Sequence, residues 1–216
     1  GMQRAAHHQV RRLAASVGVA ALVGSLTAGA AHPAAGSSSA LLVTGYAEQG
    51  TPGRIVAREA HALTTVGVDG VTLAHGGGSV QRPDSAVLAL LAAAHRNGVR
   101  AELLVSNFDD AIGDFSPAIG ARLLRNPGHV AAVADELAGF ASRQGWDGIT
   151  VDLESLRGAD GRGLVDFVRA LQERMPPDKT VSVDLMASTT AAGYAHEGYL
   201  LARLGNAADV LALMAY

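Results

Sequence analysis

Short apolar segments alternate with segments of helical periodicity from residue 41 to the end of this 216-residue chain, and this alternation constrains the fold most. The apolar segments predict six strands, at 41–46, 68–74, 99–105, 149–153, 180–186 and 209–216. The segments between them predict helices at 54–64, 83–97, 127–144, 160–174 and 195–204, with a shorter helix before residue 127. Because strands separated by helices pair in parallel, the pattern predicts an α/β domain built from βαβ units.

Two architectures fit this alternation, an open doubly wound sheet and a (β/α)8 TIM barrel. A dinucleotide-binding doubly wound sheet carries G-x-G-x-x-G directly after its first strand, whereas residues 47–54 read AEQGTPGR. A barrel normally has eight strand–helix units in about 250 residues, and residues 41–216 hold six units. We therefore expect a TIM barrel that is truncated after the sixth strand, at Tyr216.

The first forty residues follow the order of a secretory signal peptide. Residues 2–12 contain three arginines and no acid, residues 13–31 carry no charge, and Ala28-Gly29-Ala30 offers a small-residue cleavage site. We expect cleavage and export, which gives a secreted or cell-wall-associated protein without stable membrane insertion. The alternative is a retained N-terminal membrane anchor, since about 19 uncharged residues barely span a bilayer.

The composition limits the remaining possibilities. Gly1 precedes Met2 and is set aside as a cloning remnant, so the predicted organisation is a signal peptide and spacer at 1–40 and one domain at 41–216. The chain has no cysteine, which excludes disulfides, a cysteine nucleophile and Cys-based metal sites. Its eight histidines lack metal-ligand spacing, and the formal net charge of −3 gives no electrostatic footprint for nucleic acid.

Two acids at the end of the fourth predicted strand are the candidate catalytic residues. Side chains alternate between the faces of a strand, so Thr150, Asp152 and Glu154 share one face, and the apolar residues between them face the other way. Barrel enzymes place catalytic groups at the C-terminal ends of strands. Two neighbouring carboxylates raise one pKa, as a general acid near neutral pH requires. The alternative is an ion pair with an inward Lys or Arg, but the last three predicted strands contain neither.

These residues also carry a resemblance to a known family. Residues 147–154 (DGITVDLE) resemble the D-G-x-D-x-D-x-E signature of glycoside hydrolase family 18, which contains chitinases and peptidoglycan-directed glucosaminidases. Residues 213–216 (LMAY) resemble the second signature of that family, M-x-Y-D, up to the residue before its Asp. Both lie on the expected strands, the fourth and the sixth. Residues 106–108 (SNF) and 123–127 (LLRNP) are similar to the peptidoglycan-directed branch.

The resemblance implies retaining catalysis that is assisted by the substrate and uses no enzyme nucleophile. Glu154 would protonate the glycosidic oxygen while the substrate's own 2-acetamido oxygen attacks the anomeric carbon. Asp152 would orient the acetamido group and stabilise positive charge on its nitrogen, and Tyr216 would donate a hydrogen bond to its carbonyl oxygen. Met214 would line the floor of the pocket, and Asp147 would brace the start of the strand. Neither a cofactor nor a metal is implied.

The chain departs from the family pattern at Thr150, where an inner aspartate is expected. Threonine can donate a hydrogen bond to Asp152 but cannot share a proton as an acid does. This departure weakens the prediction that the protein is a chitinase more than it weakens the prediction that it is catalytic. Two further residues are candidates for substrate binding. Asp184 on the fifth strand is either a third acid of the site or a solvent-facing residue, and Tyr46 could stack on a sugar or belong to the core.

We therefore expect an exported glycoside hydrolase that cleaves β-1,4 bonds after N-acetylglucosamine in peptidoglycan or chitin, with that polysaccharide as its partner. A non-catalytic carbohydrate-binding protein of the same fold is the alternative, and the retention of Glu154 argues against it. A third possibility is an unrelated barrel enzyme whose paired acids hold Mg²⁺.

Overall fold

The computed structural model describes residues 43–48 and 50–214. The leader predicted at 1–40 and Tyr216 lie outside the described residues, so their roles stay predictions. The described chain forms strands β1 (Thr44–Ala47), β2 (Thr65–Thr72), β3 (Arg100–Ser106), β4 (Phe108–Asp109), β5 (Asp114–Phe115), β6 (Gly148–Asp152), β7 (Thr180–Met186) and β8 (Val210–Met214). All but β4 and β5 correspond to the six strands predicted from the sequence, so the fourth predicted strand is β6 and the fifth is β7.

The helices lie between these strands, as the alternation predicts. They are α1 (Gly53–Glu59), α2 (Ser85–Arg96), α3 (Pro117–Leu124), α4 (Pro127–Gln144), α5 (Gly161–Arg174), α6 (Ala191–His196) and α7 (Leu201–Ala207). Short 3₁₀ segments follow α1, at Ala60–Ala62, and precede α5, at Gly158–Asp160.

The six long strands form one parallel sheet in the order β1-β2-β3-β6-β7-β8. Neighbours in the sheet are therefore neighbours along the chain, apart from the β4–β5 hairpin. A doubly wound sheet reverses its strand order near the middle, and this sheet does not. The six strands and their helices form a half-barrel, which confirms the predicted α/β barrel class.

Local signals explain where α2 begins and where α4 begins and ends. The Asp84 side chain accepts a hydrogen bond of 2.9 Å from the Val87 N–H and caps α2. Asn126 caps α4 in the same way, and Pro127 occupies its first turn. Helix α4 ends at Gly145, whose φ of 85° is the left-handed conformation that favours glycine.

The sheet separates an apolar core from a polar interior. Ile149, Val151 and Leu153 of the β6 segment are buried in the apolar core, together with Trp146 and Phe167. The opposite face of the sheet carries buried polar residues instead: Glu102, Ser106, Thr150, Asp152, Ser182 and Asp184. Burial of so many polar groups on one face indicates that this face holds a functional site.

Three local predictions need correction. The helix predicted at 195–204 is wrong: α6 and α7 are separate, because Gly198 adopts a φ of 85° between them and Tyr199 is buried with its hydroxyl bound to the Leu153 carbonyl oxygen. The segment that follows the third predicted strand, for which the sequence predicts no further strand before residue 149, contains the antiparallel β4–β5 hairpin. The helix predicted at 54–64 ends as α1 at Glu59, and its last turn is 3₁₀.

Candidate active site

Strand β6 ends at Asp152, at the C-terminal edge of the parallel sheet. Asp152 is only 8% exposed, while Glu154, two residues past the strand, is partly exposed. Thr150 lies deeper in the interior and donates a hydrogen bond of 2.9 Å to Glu102. The three residues that were expected to share a face thus lie in order from the interior to the sheet edge.

Asn107 fixes the main chain of Glu154 from both sides. Its amide nitrogen donates to the Glu154 carbonyl oxygen at 2.8 Å, and its amide oxygen accepts from the Glu154 N–H at 3.0 Å. The same amide group donates to the Ser116 carbonyl oxygen at 3.0 Å, and the Asn107 side chain is fully buried. Ser155 follows with a φ of 57°, a left-handed conformation that is uncommon outside glycine. The position of Glu154 is therefore set by the chain after β3 as much as by β6.

Glu102 on β3 is a buried acid surrounded by hydroxyl groups. Its carboxylate accepts hydrogen bonds from Thr150, Ser182 and Thr180, the Ser182 hydroxyl lying 3.0 Å from Oε1. Burial raises the pKa of Glu102, and the three hydroxyl hydrogen bonds oppose that rise because they stabilise the ionised form. Gly148 completes this arrangement, since a Cβ there would lie 2.7 Å from Glu102 Oε1 and 2.4 Å from the Thr180 carbonyl oxygen.

Asp184 on β7 faces the interior and not the solvent. Its side chain is 1% exposed, and its Oδ1 accepts a hydrogen bond of 2.9 Å from the Tyr46 hydroxyl. Burial raises the pKa of Asp184 to about 7; the Tyr46 hydrogen bond lowers it, and the charges of Glu102 and Glu154 raise it. The candidate residues Tyr46 and Asp184, 138 positions apart in sequence, are therefore in direct contact.

Asp152 is a buried acid that lies near several other acids. Burial raises the pKa of Asp152 well above its ordinary value, and the negative charges of Asp184, Glu154 and Asp69 raise it further. Its Oδ1 is buried and accepts no hydrogen bond from the described residues, and the same holds for Asp184 Oδ2. Neither acid forms an ion pair with a cation within the described ranges.

Two residues complete the acidic environment of the site. Burial raises the pKa of Asp69 on β2 to about 6, with smaller contributions from Glu48 and Asp110. Tyr199 is buried, and its hydroxyl donates to the Leu153 carbonyl oxygen at 2.9 Å. The charges of Asp152 and Glu154 add to the burial that raises the pKa of the Tyr199 phenol. A cluster of carboxyl groups with raised pKa values is typical of sites that perform acid–base chemistry.

The remaining predicted residues lie elsewhere or outside the described part. Asp147 is before β6, where its carboxylate accepts hydrogen bonds of 2.8 Å from the Ala101 N–H and from the His95 ring and joins this end of β6 to β3 and α2. Burial acts to raise the pKa of Asp147, but these hydrogen bonds outweigh it and the pKa lies below its ordinary value. Met214 ends β8 beside Met186.

Sequence reasoning missed Glu102, Asp69, Asn107 and Tyr199. Glu102 and Asp69 had a usable signal, because an acid inside an apolar strand at alternate spacing with other inward positions is rare unless it is paired or functional. Tyr199 had none, and Asn107 entered only as part of the SNF resemblance at 106–108, because the main-chain atoms that they bind at Leu153 and Glu154 lie 46 and 47 residues away.

The described residues offer neither a metal centre nor a membrane span. No group of three or more His, Asp or Glu side chains in residues 43–48 and 50–214 has an arrangement suited to a metal ion. Within the same ranges, no helix is both long and apolar enough to cross a membrane.

Comparisons with known proteins relate this geometry to a fold. No family model and no curated protein matches the sequence. Among solved structures, the spore cortex-lytic enzyme SleL of Bacillus megaterium QM B1551 is 24% identical, with a TM-score of 0.70 over 80% of this chain and 41% of that one. A chitinase of Chromobacterium violaceum ATCC 12472 is 26% identical, with a TM-score of 0.68 over 79% of this chain and 55% of that one.

A third relative is the second catalytic domain of the Ostrinia furnacalis Group II chitinase, solved in complex with penta-N-acetylchitooctaose. It is 20% identical, with a TM-score of 0.62 over 80% of this chain and 50% of that one. The chain thus spans about half the length of the solved relatives it matches. Over its described strands, the chain has the chitinase-like barrel fold of glycoside hydrolase family 18.

Proposed function

We propose that this protein is an exported glycoside hydrolase that cleaves β-1,4 bonds of N-acetylglucosamine-containing polymers, peptidoglycan or chitin, by substrate-assisted retaining catalysis. The observation that carries the proposal is the pair of acids at the C-terminal end of β6, one buried and one partly exposed. The fold shared with chitinases and a cortex-lytic enzyme supports the same reaction class.

Each acid has a role that its surroundings suit. Glu154 at the open edge of the sheet would donate its proton to the glycosidic oxygen as the bond to the anomeric carbon breaks. The acetamido oxygen of the substrate would attack the anomeric carbon as that bond breaks, giving an oxazolinium ion. Water would then add to the anomeric carbon and give up a proton to the Glu154 carboxylate, with net retention. Asp152 would accept a hydrogen bond from the acetamido N–H and hold the acetamido oxygen in line with the anomeric carbon. This orientation gives the intramolecular attack a large effective molarity.

A carbohydrate-binding protein without activity is the second candidate, favoured by Thr150 in place of the aspartate of the family signature. The structure bears on this choice because Thr150 is already engaged with Glu102. The acids that surround Asp152 come instead from other strands, Asp69 from β2 and Asp184 from β7. The loss of one acid from the signature therefore leaves the site acidic, and we favour the hydrolase.

Substitution of the proposed acid tests the function. We expect Glu154→Gln to lower hydrolysis of chitin oligomers and purified peptidoglycan by at least about 100-fold, the usual contribution of a general acid. Glu173→Gln on the exposed side of α5 is the matched control and should retain wild-type rates. Equal product release by wild type and Glu154→Gln, in the full-length protein, would exclude the hydrolase.

Export is tested on the intact chain in a secreting host. Cleavage after Ala30 should give a protein in the medium or cell wall whose mass corresponds to a chain that begins at Ala31. A full-length mass in the membrane fraction would instead indicate the retained anchor.

A further inference from the structure

Asp152 and Asp184 occupy neighbouring positions on adjacent strands. The register pairs Thr150 with Ser182 and Val151 with Val183, so the next residues along β6 and β7 are the two aspartates. Thr150 and Ser182 both donate hydrogen bonds to Glu102 in the interior. Side chains two residues further along a strand point the same way, so both carboxyl groups enter the same interior space.

Among residues 43–48 and 50–214, each of these carboxyl groups has one oxygen without a hydrogen-bond partner. Asp184 uses Oδ1 to accept the Tyr46 hydroxyl, which leaves Oδ2 unpaired, and Asp152 has an unpaired Oδ1. The residues are 1% and 8% exposed, so water does not readily satisfy these atoms. An unpaired buried carboxylate oxygen is costly, and two of them on neighbouring residues can satisfy each other once one carries a proton.

The titratable groups near Asp152 and Asp184 do not offset the repulsion between the two carboxylates. The titratable groups that act on Asp184 are Tyr46 from β1, Glu102 from β3 and Glu154 after β6. Asp152 is under the influence of Asp69, Glu154 and Asp184, and Tyr199 lies nearby. All of these groups are carboxylic acids or neutral phenols, and none is a cation. Two ionised carboxylates side by side in such surroundings repel each other strongly, so the singly protonated pair is favoured.

We propose that Asp184 is a positioning residue that holds one proton in common with Asp152, through the unpaired oxygens of the two carboxyl groups. The proton lies between Asp184 Oδ2 and Asp152 Oδ1, so that one carboxyl group donates a hydrogen bond to the other and the pair carries one negative charge. No proton leaves the pair in this arrangement. This inference rests on the proposed function, because the negative charge of the pair must be held in place to face the acetamido nitrogen. Strand β7 thereby supplies the second acid that position 150 lacks.

Tyr46 sets the orientation of the pair. Its hydroxyl occupies Asp184 Oδ1 and so directs Oδ2, the other oxygen, to Asp152. A tyrosine on β1 thus contributes to the site through its hydroxyl group.

The proposal is tested by equilibrium unfolding in denaturant between pH 4 and pH 9, which requires no turnover. In the wild type, the folded pair retains a proton that unfolded aspartates lose near pH 4. The equilibrium constant for unfolding should therefore rise, by up to about tenfold per pH unit, until the pair loses its proton near neutral pH. Asp184→Asn and Asp152→Asn should each weaken this dependence. Asp166→Asn, on the exposed side of α5, should leave it unchanged.

The double substitution decides whether the proton is shared. With a shared proton, Asp152→Asn changes the pH dependence far less in the Asp184→Asn background than in the wild type. Equal effects in both backgrounds mean two independent acids and would overturn the proposal.

Tyr46→Phe gives a second measurement that does not remove an acid. Loss of the phenol hydroxyl removes a hydrogen bond that stabilises ionised Asp184, so the upper end of the pH-dependent range should move to higher pH. An unchanged range would contradict the pair, and this variant keeps the test usable if Asp184→Asn does not fold.

Hydrolysis separates this inference from the proposed function. If the unfolding data show coupling but no substrate is cleaved, the shared proton stands and the hydrolase fails. On active enzyme, Asp184→Asn should change the shape of the pH profile of kcat. A role in folding alone would lower kcat by the same factor at every pH, and that result would overturn the positioning role.

Discussion

Asn107 illustrates how one buried side chain determines the position of the candidate acid. It makes three hydrogen bonds with main-chain atoms of Glu154 and Ser116, and its own carbonyl oxygen accepts from the Ser116 N–H at 2.9 Å. Each of these side-chain contacts satisfies a group that lies in or near the interior. The residue therefore links the end of β3, the end of β6 and the start of α3.

We expect Asn107→Ala to destabilise the protein and to impair the proposed hydrolysis together. The substitution leaves two carbonyl oxygens and one N–H without their partner, and the cost should be about 2–3 kcal/mol in the free energy of unfolding. Denaturant titration measures this cost, and the rate on chitin oligomers reports the displacement of Glu154. Asn206→Ala on the exposed side of α7 is the control; if both variants lose equal stability, the role given to Asn107 is wrong.

The residues of the site differ in how far the sequence alone could predict their placement. Asp152 and Glu154 were found because strand alternation is local, and the signature gave their spacing. The placement of Asp184 was open because its face depends on the register between β6 and β7. Glu102 was missed although an acid inside an apolar strand is a usable signal, and its hydroxyl partners on β6 and β7 are contacts that no local pattern predicts.

At the scale of elements, close backbone contact between helices explains one glycine of α5. A Cβ at Gly163 would lie 1.9 Å from the Leu124 carbonyl oxygen at the end of α3. Helices α3 and α5 can approach this closely only when no side chain separates them. The contact helps to hold α3, which follows the hairpin next to the site.

We expect Gly163→Ala to lower the free energy of unfolding by about 1–3 kcal/mol, because backbone atoms must move to admit the methyl group. Gly139→Ala in the middle of α4 is the matched comparison. There, the Cβ would meet only the flexible guanidinium group of Arg143, so higher helix propensity should raise stability by up to about 1 kcal/mol. Thermal or denaturant unfolding measures both, and the same sign for both changes would contradict this explanation.

Elements with strong local end signals were predicted to the residue. Helix α4 has proline at its start and a left-handed glycine at its end, and the structure gives Pro127–Gln144 as predicted. The helix predicted at 195–204 failed because burial of Tyr199 against Leu153 interrupts the chain there. That contact is tertiary, and local periodicity does not contain it.

At the scale of the whole molecule, the half-barrel collects buried acids and offers Asp152 and Asp184 no ion pair within the described residues. Burial is the largest cause of the raised pKa values of Asp69, Glu102, Asp152 and Asp184. Asp147 is the exception, because its pKa is lowered by hydrogen bonds at the opposite end of β6.

We therefore expect stability to be highest in mildly acid solution. Acids with raised pKa values stabilise the fold below about pH 4 and lose that contribution as pH rises through the folded pKa, about 6 for Asp69 and about 7 for Asp184. The free energy of unfolding should fall by at least about 2 kcal/mol from pH 4.5 to pH 7.5. Below pH 4, protonation of Asp147 reverses the trend. Denaturant titration at fixed ionic strength checks this, and rising stability across that range would refute it.

The sequence by itself determined the parallel α/β class, the six strands, the ends of the best-capped helices and the two acids at the end of β6. These follow from spacing along the chain, which local periodicity and capping chemistry encode. Only the tertiary structure decided that Glu102 lies among three hydroxyl groups, that Asn107 holds Glu154, and that Asp184 binds Tyr46 on the strand beside β6. Those contacts join strands far apart in sequence, so they depend on strand order, register and burial, which no local pattern fixes.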